Sequence, residues 1–236
     1  MNHVIWTMLM GLTLVLTLAA FRLYWTIIRK GPTSQRQRSS EEKCHLAVFL
    51  GSGGHTSEAL MLLSALDFRR YTPRTYIVSE GDFLSTEKAM TLESLKAAES
   101  LPSDIRREGN DYRILVIPRA RRVHQSLFTT PYTSLRCLLM CVYHVTISPV
   151  TTSTPSFSPF SDVLILNGPG TCFVLCLAIC LNRFLGLSSP KMIYVESFAR
   201  VKSLSLSGKL LRPLVDRFIV QWPQLESKGE YRGWLV

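Results

Sequence analysis

The chain contains one glycine cluster that stands between an apolar run and a helix-like run. The apolar run from His45 to Leu50 is typical of a buried β-strand, and Ser57 to Leu66 has helical spacing. Between them lies Gly51-Ser52-Gly53-Gly54-His55-Thr56. Glycines let a backbone turn tightly, and a helix that begins there directs unpaired N–H groups and its positive dipole end at the loop. This order of elements predicts an anion site, most often a phosphate site.

Strand-like and helix-like runs alternate along the rest of the chain. The strand-like runs are Leu46–Leu50, Thr75–Val78, Tyr112–Ile117, Val163–Leu166, Met192–Val195 and Arg217–Val220. The helix-like segments are Ser57–Leu66, Phe83–Ala98, Thr133–Thr146, Cys172–Phe184 and Ser207–Val215. Such alternation predicts an α/β fold, a Rossmann-like parallel sheet with right-handed crossovers and helices on both faces.

The N-terminal segment is apolar over the length of a bilayer-spanning helix. Val4 to Phe21 has no charged side chain, and apolar character resumes after Arg22. Because about 20 apolar residues span a bilayer as a helix, we predict a transmembrane anchor over residues 1–28. A cleaved signal peptide is the alternative, but such peptides carry positive charge before the apolar run, and Met1-Asn2-His3 has none.

Positive charge follows the anchor, in a polar segment at 29–43 that we interpret as a linker. Its basic residues include Arg29, Lys30, Arg36 and Arg38. The positive-inside rule then predicts that residues 44–236 form one cytosolic domain. Within it, the Ser-, Thr- and Pro-rich segment at 148–161 is predicted to be a surface loop.

Neither the cysteines nor the charge predicts a metal or cofactor site. Cys172, Cys176 and Cys180 recur every four residues in an apolar run. Because no histidine or carboxylate joins them, as zinc would prefer, small buried side chains are the favoured interpretation. The net charge of +10 predicts an anionic partner, either lipid headgroups or a phosphorylated ligand. Nucleic acid is disfavoured, since the basic residues are scattered and form no known binding motif.

Polar residues follow four of the predicted strands. They are the 51–56 loop, Arg119-Ala120-Arg121-Arg122, Asn167-Gly168-Pro169-Gly170-Thr171 and Glu196. Because ligands bind beyond the carboxyl ends of parallel strands, one crevice is expected to collect them. The glycine loop is not the dinucleotide fingerprint, and it is not a P-loop because no Gly-Lys-Ser/Thr follows.

Each of these residues also has a structural interpretation. His55 could bind an oxyanion, accept a proton from an attacking hydroxyl, or only orient its loop. Glu58 could simply stabilise the positive end of its helix. The arginine cluster could contact a pyrophosphate or be a solvated turn, and the 167–171 turn could offer N–H groups or pack tightly. Glu196 could bind a sugar hydroxyl, with Arg200 paired to it or to a phosphate.

Several motifs together resemble one protein family. They are Phe49-Leu50-Gly51-Ser52-Gly53-Gly54-His55-Thr56-Ser57-Glu58, Ile117-Pro118-Arg119-Ala120-Arg121, Leu166-Asn167-Gly168-Pro169-Gly170-Thr171-Cys172 and Tyr194-Val195-Glu196-Ser197-Phe198-Ala199-Arg200. The family is the membrane-anchoring subunit of the endoplasmic-reticulum transferase that moves N-acetylglucosamine (GlcNAc) from UDP-GlcNAc to dolichol-linked GlcNAc pyrophosphate. The resemblance covers essentially the whole chain after the linker, apart from the 148–161 insertion.

The resemblance implies the N-terminal half of a two-Rossmann-domain (GT-B) glycosyltransferase. A separate soluble catalytic subunit would bind UDP-GlcNAc, and the chain alone is expected to be inactive. His55 would be the base, and docking to the partner would use Trp234, Leu235 and Val236. The candidate residues for the acceptor pyrophosphate and sugar are Gly51, Ser52, Gly53, Gly54, Thr56, Glu58, Arg119, Asn167, Gly168, Gly170, Thr171, Glu196 and Arg200. No metal or other cofactor is implied, and the expected location is the endoplasmic-reticulum membrane, in N-glycosylation.

Two other function classes remain open at this stage. The chain could be a membrane scaffold that only recruits a partner, with a purely structural glycine loop. It could also be a self-contained oxidoreductase or nucleotide-binding protein, although the acidic residue that should follow the second strand is missing.

Overall fold

A seven-stranded, all-parallel sheet forms the centre of the protein. A computed structural model describes residues 2–28, 42–100, 111–122, 125–126, 128–148, 160–168 and 170–235. The strands are β1 (Leu46–Leu50), β2 (Arg74–Ser79), β3 (Tyr112–Ile117), β4 (Val163–Asn167), β5 (Lys191–Val195), β6 (Arg217–Val220) and β7 (Glu230–Tyr231). Their order across the sheet is β3-β2-β1-β4-β5-β6-β7. The predicted Rossmann-like parallel sheet is confirmed.

Strand β1 lies at the point where the order of the sheet reverses. Leu46 is in register with Arg74 of β2 on one side and with Val163 of β4 on the other. All five residues of β1 are buried, as expected for a parallel strand that is covered on both faces. The reversal leaves a crevice beyond the carboxyl ends of β1 and β4, where ligands bind in folds of this class.

Helices cover both faces of the sheet. They are α2 (Gly54–Ser64), α3 (Phe83–Ser100), α4 (Thr130–Val142, continued by a π-helical turn at Tyr143–Ile147), α5 (Gly170–Leu185) and α6 (Leu206–Leu211). The first two pack on one face through residues such as Leu63 and Ala89. The other three pack on the opposite face, where Cys141, Cys176 and Leu211 join the core.

Several element boundaries differ from the predicted ones, and one strand was not predicted. Helix α2 begins at Gly54, three residues before Ser57, because glycines can enter a first helical turn although they weaken the sequence signal. Helix α6 ends at Leu211, because Pro213 has no N–H group with which to continue the helical hydrogen bonds. Strand β7 has only two residues, which is too few to give a strand pattern in the sequence, and it was not predicted.

The cysteines on α4 and α5 belong to the core, as predicted. Cys137, Cys141, Cys172 and Cys176 are each at most 1% exposed, and Cys180 is half-buried. Burial raises the pKa of the Cys172 thiol. These side chains therefore act as small apolar groups that let two helices and the sheet approach one another.

A buried ion pair links β2 to α3. The Arg74 guanidinium donates to both oxygens of Glu93, with Nε–Oε1 at 2.6 Å and Nη2–Oε2 at 2.8 Å. Its Nη1 donates to the carbonyls of Phe68 and Tyr71, and the Tyr76 hydroxyl donates to Glu93 at 2.7 Å. Burial and the neighbouring carboxylate raise the pKa of Tyr76, so its hydroxyl remains a donor. The cluster is fully hydrogen-bonded, as a buried charge requires.

Helix α1 (Asn2–Ile28) precedes this domain. Its stretch His3–Tyr24 is long and apolar enough to cross a membrane, and its side chains lie outside the protein core. Near its end, the Arg22 guanidinium donates to the carbonyl of Phe184, close to the end of α5. Most of the predicted linker, residues 29–41, and most of the predicted loop, residues 149–159, lie outside the described residues.

Candidate functional site

The loops after β1 and β4 contact each other backbone to backbone in the crevice. Gly168 has φ +147°, in the region that favours glycine. A Cβ atom at Gly168 would lie 3.0 Å from Gly51 Cα and 3.2 Å from Phe49 Cε1. No side chain fits there without displacing backbone, so glycines at both positions bring the starts of α2 and α5 together.

The glycine loop is open to solvent above α2. Ser52, Gly53 and Gly54 are exposed, and Gly53 precedes the helix with φ +70°. No side chain caps α2, and a Cβ atom built on Gly53 or Gly54 meets nothing within 4 Å. The first N–H groups of a helix lack helical partners, and here they border free space. This geometry suits an anion such as a phosphate.

A chain of hydrogen bonds runs from His55 across the crevice. His55 Nδ1 lies 2.7 Å from Asn167 Oδ1, and Asn167 Nδ2 donates to Glu58 Oε2 at 2.9 Å. Ser197 Oγ donates to Glu58 Oε1 at 2.8 Å. Three of the four loops expected to converge therefore share one network. Sequence reasoning missed Ser197, although its position directly after Glu196 at a strand end was a usable signal.

The two threonines in the candidate set anchor loops. Thr56 is buried, and its Oγ1 donates to the Gly51 carbonyl at 3.2 Å and lies 2.6 Å from Ser85 Oγ. Thr171 is also buried, and its Oγ1 accepts from the Ala120 N–H at 3.2 Å. Their hydroxyls hold the loops after β1 and β3 in place, and a direct contact with a ligand stays a prediction.

Four arginines follow the carboxyl ends of β3 and β5, and the hydrogen bonds that two of them form go to backbone carbonyls. Arg119 is half-buried and donates to the Glu80 carbonyl, and the exposed Arg121 donates to the Gln125 carbonyl. Arg122 and Arg200 are exposed as well. Within the described part of the chain, none of these guanidinium groups forms an ion pair. Their charge is available to an anionic ligand or surface.

Glu196 is committed to internal contacts. It is 1% exposed; its Oε1 accepts from the Ser197 N–H, and its Oε2 accepts from the N–H and hydroxyl of Ser205. A Cβ atom at Gly208 would lie 2.1 Å from Oε2, so glycine is needed there. The pair considered between Glu196 and Arg200 is not formed, since these hydrogen bonds take up the carboxylate. A contact with a sugar stays a prediction.

The C-terminal segment packs beside the same edge of the sheet. Leu235 joins the core beneath α2, and its N–H donates to Gln221 Oε1 at 3.2 Å. The Gln221 amide in turn donates to the Glu196 carbonyl at 3.1 Å. Trp234 is 67% exposed, with its ring 5.6 Å from that of Trp222. An exposed tryptophan on a fixed segment suits a partner contact; Val236 lies outside the described residues.

The described residues contain no group of three or more His, Cys, Asp or Glu side chains that could hold a metal ion.

The chain is similar to known proteins along most of its length. Residues 46–235 match the family model described as "Oligosaccharide biosynthesis protein Alg14 like". A protein of the fungus Cryptococcus neoformans is 45% identical over the whole chain and 98% of its own length. A Schizosaccharomyces pombe protein is 47% identical over 80% of the chain and 82% of its own length. A Mus musculus protein is 37% identical over 90% and 89%. Each is named UDP-N-acetylglucosamine transferase subunit ALG14.

Proposed function

This chain belongs to the Alg14 family of oligosaccharide biosynthesis proteins, and from that premise we propose that it is the membrane-anchored, acceptor-binding subunit of a heteromeric GlcNAc transferase. Its acceptor is a dolichol-linked GlcNAc pyrophosphate, used in lipid-linked oligosaccharide synthesis for N-glycosylation at the endoplasmic reticulum. A soluble partner subunit supplies the site for UDP-GlcNAc. The word "subunit" in the relatives' names supports such a division of labour.

The observation that carries the proposal is the open glycine loop beside His55. Its free amides and the positive end of α2 receive the acceptor pyrophosphate, which needs hydrogen-bond donors and positive charge. Arg119 and Arg200, which follow β3 and β5, add positive charge, and neither forms an ion pair with another described residue. The described residues after α1 form one seven-stranded Rossmann-like unit, and we propose that the partner supplies the donor half of the two-domain transferase.

In the proposed reaction, one protein holds the acceptor and the other holds the donor. The acceptor hydroxyl oxygen attacks C1 of the donor GlcNAc and forms the new C–O bond with inversion. The bond from C1 to the UDP oxygen breaks, and UDP leaves with the electron pair. The hydroxyl proton passes to His55, the titratable side chain in the first turn of α2.

An apolar band on α4 supports the proposal that the bilayer lies beside the crevice. The exposed residues Tyr132, Leu135, Leu139 and Tyr143 recur every three or four positions, so they share one face of α4 and the π-helical turn after it. The exposed Phe128 lies just before the start of α4. At the far end of the band, Thr146 donates to Asn182 of α5, and α5 also receives the Arg22 contact from α1. We infer that α4 lies on the membrane between the anchor and the crevice, with Trp234 and the C-terminal segment left to the partner.

Changing the band should weaken the use of a membrane-bound acceptor. In the assembled complex, Leu135→Gln/Leu139→Gln is expected to raise KM about 10-fold for a long-chain polyprenol acceptor in vesicles, because two apolar contacts with lipid are lost. KM for a water-soluble short-chain acceptor should not change. The matched control is Met90→Gln/Leu95→Gln, since both residues are exposed on α3. Equal KM values for the long-chain acceptor in the two double variants would contradict a membrane-facing α4.

Filling the glycine loop tests acceptor binding itself. A Cβ atom at Gly54 meets no heavy atom within 4 Å and the position lies in a helix, so Gly54→Leu should leave the fold intact. Its side chain would occupy the space above the amides, and we expect at least a roughly 10-fold rise in KM for the acceptor, with KM for UDP-GlcNAc unchanged. The control is Ala98→Leu, on an exposed position of α3. If the Gly54→Leu complex keeps the KM of the native one, the chain is a scaffold and the proposal fails.

A further inference from the structure

We propose that Glu58, Asn167 and Ser197 are positioning residues that fix the tautomer of His55, so that its Nε2 is the atom that accepts the acceptor proton. The inference rests on the proposed function for the role of His55 as a base. The tautomer itself is a property of this chain, and it is measurable without any activity.

The Glu58 carboxylate fixes the orientation of the Asn167 amide. An ionised carboxylate can only accept hydrogen bonds. Its Oε1 accepts from Ser197 Oγ at 2.8 Å, and its Oε2 accepts from Asn167 Nδ2 at 2.9 Å. If the Asn167 amide were rotated by half a turn, its carbonyl oxygen would face the carboxylate with no proton between them. Glu58 therefore fixes which end of Asn167 faces His55.

The fixed amide then decides where the proton on His55 lies. Asn167 Oδ1 is 2.7 Å from His55 Nδ1, and an amide oxygen has no proton to give. Nδ1 must therefore carry the proton of this hydrogen bond. In the neutral ring, Nε2 is left with a lone pair, and it has no hydrogen-bond partner among the described residues. This is the nitrogen that can take a proton from a hydroxyl group.

The positions of these side chains make the arrangement rigid. His55 and Glu58 are three residues apart on α2 and share one face, Asn167 ends β4, and Ser197 follows β5. Asn167 and Ser197 are 3% and 8% exposed, so water has little access to their hydrogen bonds. Ser197 is held in turn, because its Oγ accepts from the Ala199 N–H and its own N–H donates to Glu196.

The alternative tautomer could not act as a base at the same atom. With the proton on Nε2, the ring would present a donor where the reaction needs an acceptor. A serine protease whose histidine is held in the wrong tautomer loses about 10⁴ in kcat, although its geometry is intact. The network around His55 supplies the corresponding constraint with a neutral asparagine between the ring and the carboxylate.

The direct test is ¹⁵N NMR of the histidine rings in the full chain, incorporated in lipid nanodiscs. The His55 signals are assigned by their loss in His55→Gln. For the neutral form of the ring, we expect the proton on Nδ1. Glu58→Gln should give a mixture of tautomers, because the new amide can either donate to Asn167 or accept from it. The swap Glu58→Gln/Asn167→Asp should restore the Nδ1–H form, since the introduced glutamine amide can donate to the new aspartate, which also accepts from His55.

Two results would overturn the inference: an Nε2–H ring in the native chain, or a tautomer that Glu58→Gln leaves unchanged. The kinetic companion experiment uses the complex with its partner. Glu58→Gln is expected to lower kcat about 10²-fold, within the range for loss of general-base catalysis, while KM for the acceptor changes little and the swap recovers part of kcat. Glu87→Gln, an exposed residue of α3, is the control and should retain the native kcat.

The two proposals fail in different ways. If the ring has its proton on Nδ1 but His55→Gln leaves turnover unchanged, the role of His55 as a base is wrong. If turnover depends on His55 but the tautomer does not respond to Glu58, the positioning chain is wrong.

Discussion

In the assembled transferase, His55→Ala is expected to lower kcat by about 10²- to 10⁴-fold, the range that a positioned general base contributes. The alanine removes the only titratable group in the first turn of α2 and leaves Asn167 Oδ1 without its partner. KM for UDP-GlcNAc should stay near the native value, because the proposed function assigns the donor site to the partner. Steady-state kinetics with both substrates varied, on purified complex, measures this split.

The control for His55→Ala is His144→Gln. His144 is half-buried on the π-helical turn after α4, away from the hydrogen-bond network of the crevice, and this variant should turn over at the native rate. Thermal melting of both variants shows whether the fold is intact. A His55→Ala complex that melts normally and keeps a native kcat would remove His55 from the mechanism.

Arg74→Met is expected to destabilise the domain by about 3–5 kcal/mol, because it leaves the Glu93 carboxylate buried without its counterion. The side chains of Arg74 and Glu93 are only 5% and 7% exposed, so water cannot replace the lost donors. For a domain of this size, such a loss corresponds to a fall of roughly 10 °C in Tm. Circular dichroism melting of the full chain in nanodiscs measures it.

Two further variants test whether the loss of stability comes from the buried charge. Arg69→Met removes an ion pair with Asp67 in which the arginine side chain is 74% exposed, and its effect should stay within about 0.5 kcal/mol. Arg74→Met/Glu93→Leu removes both charges and should be more stable than Arg74→Met alone, although the Tyr76 hydroxyl loses its acceptor. Equal melting temperatures for Arg74→Met and Arg69→Met would show that the buried pair has no special weight.

Much of the sheet could be predicted because its signal is local. Runs such as Leu46–Leu50 are apolar on both faces, and they end at glycines or polar residues that mark the carboxyl edge. Helix starts were harder, since Gly54, His55 and Thr56 are poor helix formers that tertiary packing nevertheless holds in the first turn of α2. The edge strand at Glu230–Tyr231 depends on pairing with β6, which no local pattern encodes.

For the candidate site, the sequence predicted which loops lie close together, but it did not predict which side chains contact one another. Parallel topology alone brings the loops after β1, β4 and β5 to one edge, so their proximity was predictable. Side-chain partners depend on rotamers and on residues distant in sequence. Glu196 was expected to face a ligand but is buried against Ser205, while Ser197 reaches across to Glu58.

The close approach of Gly168 to Gly51 has a consequence for how tightly an acceptor can bind. At this contact the Gly168 backbone lies against the Gly51 backbone. Neither residue has a side chain that would have to be ordered when a ligand binds. If the proposed function holds, a diphosphate meets a preorganised surface here, and little ordering entropy is lost when it binds. A single methyl group at position 168 would lie only 3.0 Å from Gly51 Cα. The loops after β1 and β4 would then have to move apart even without a substrate.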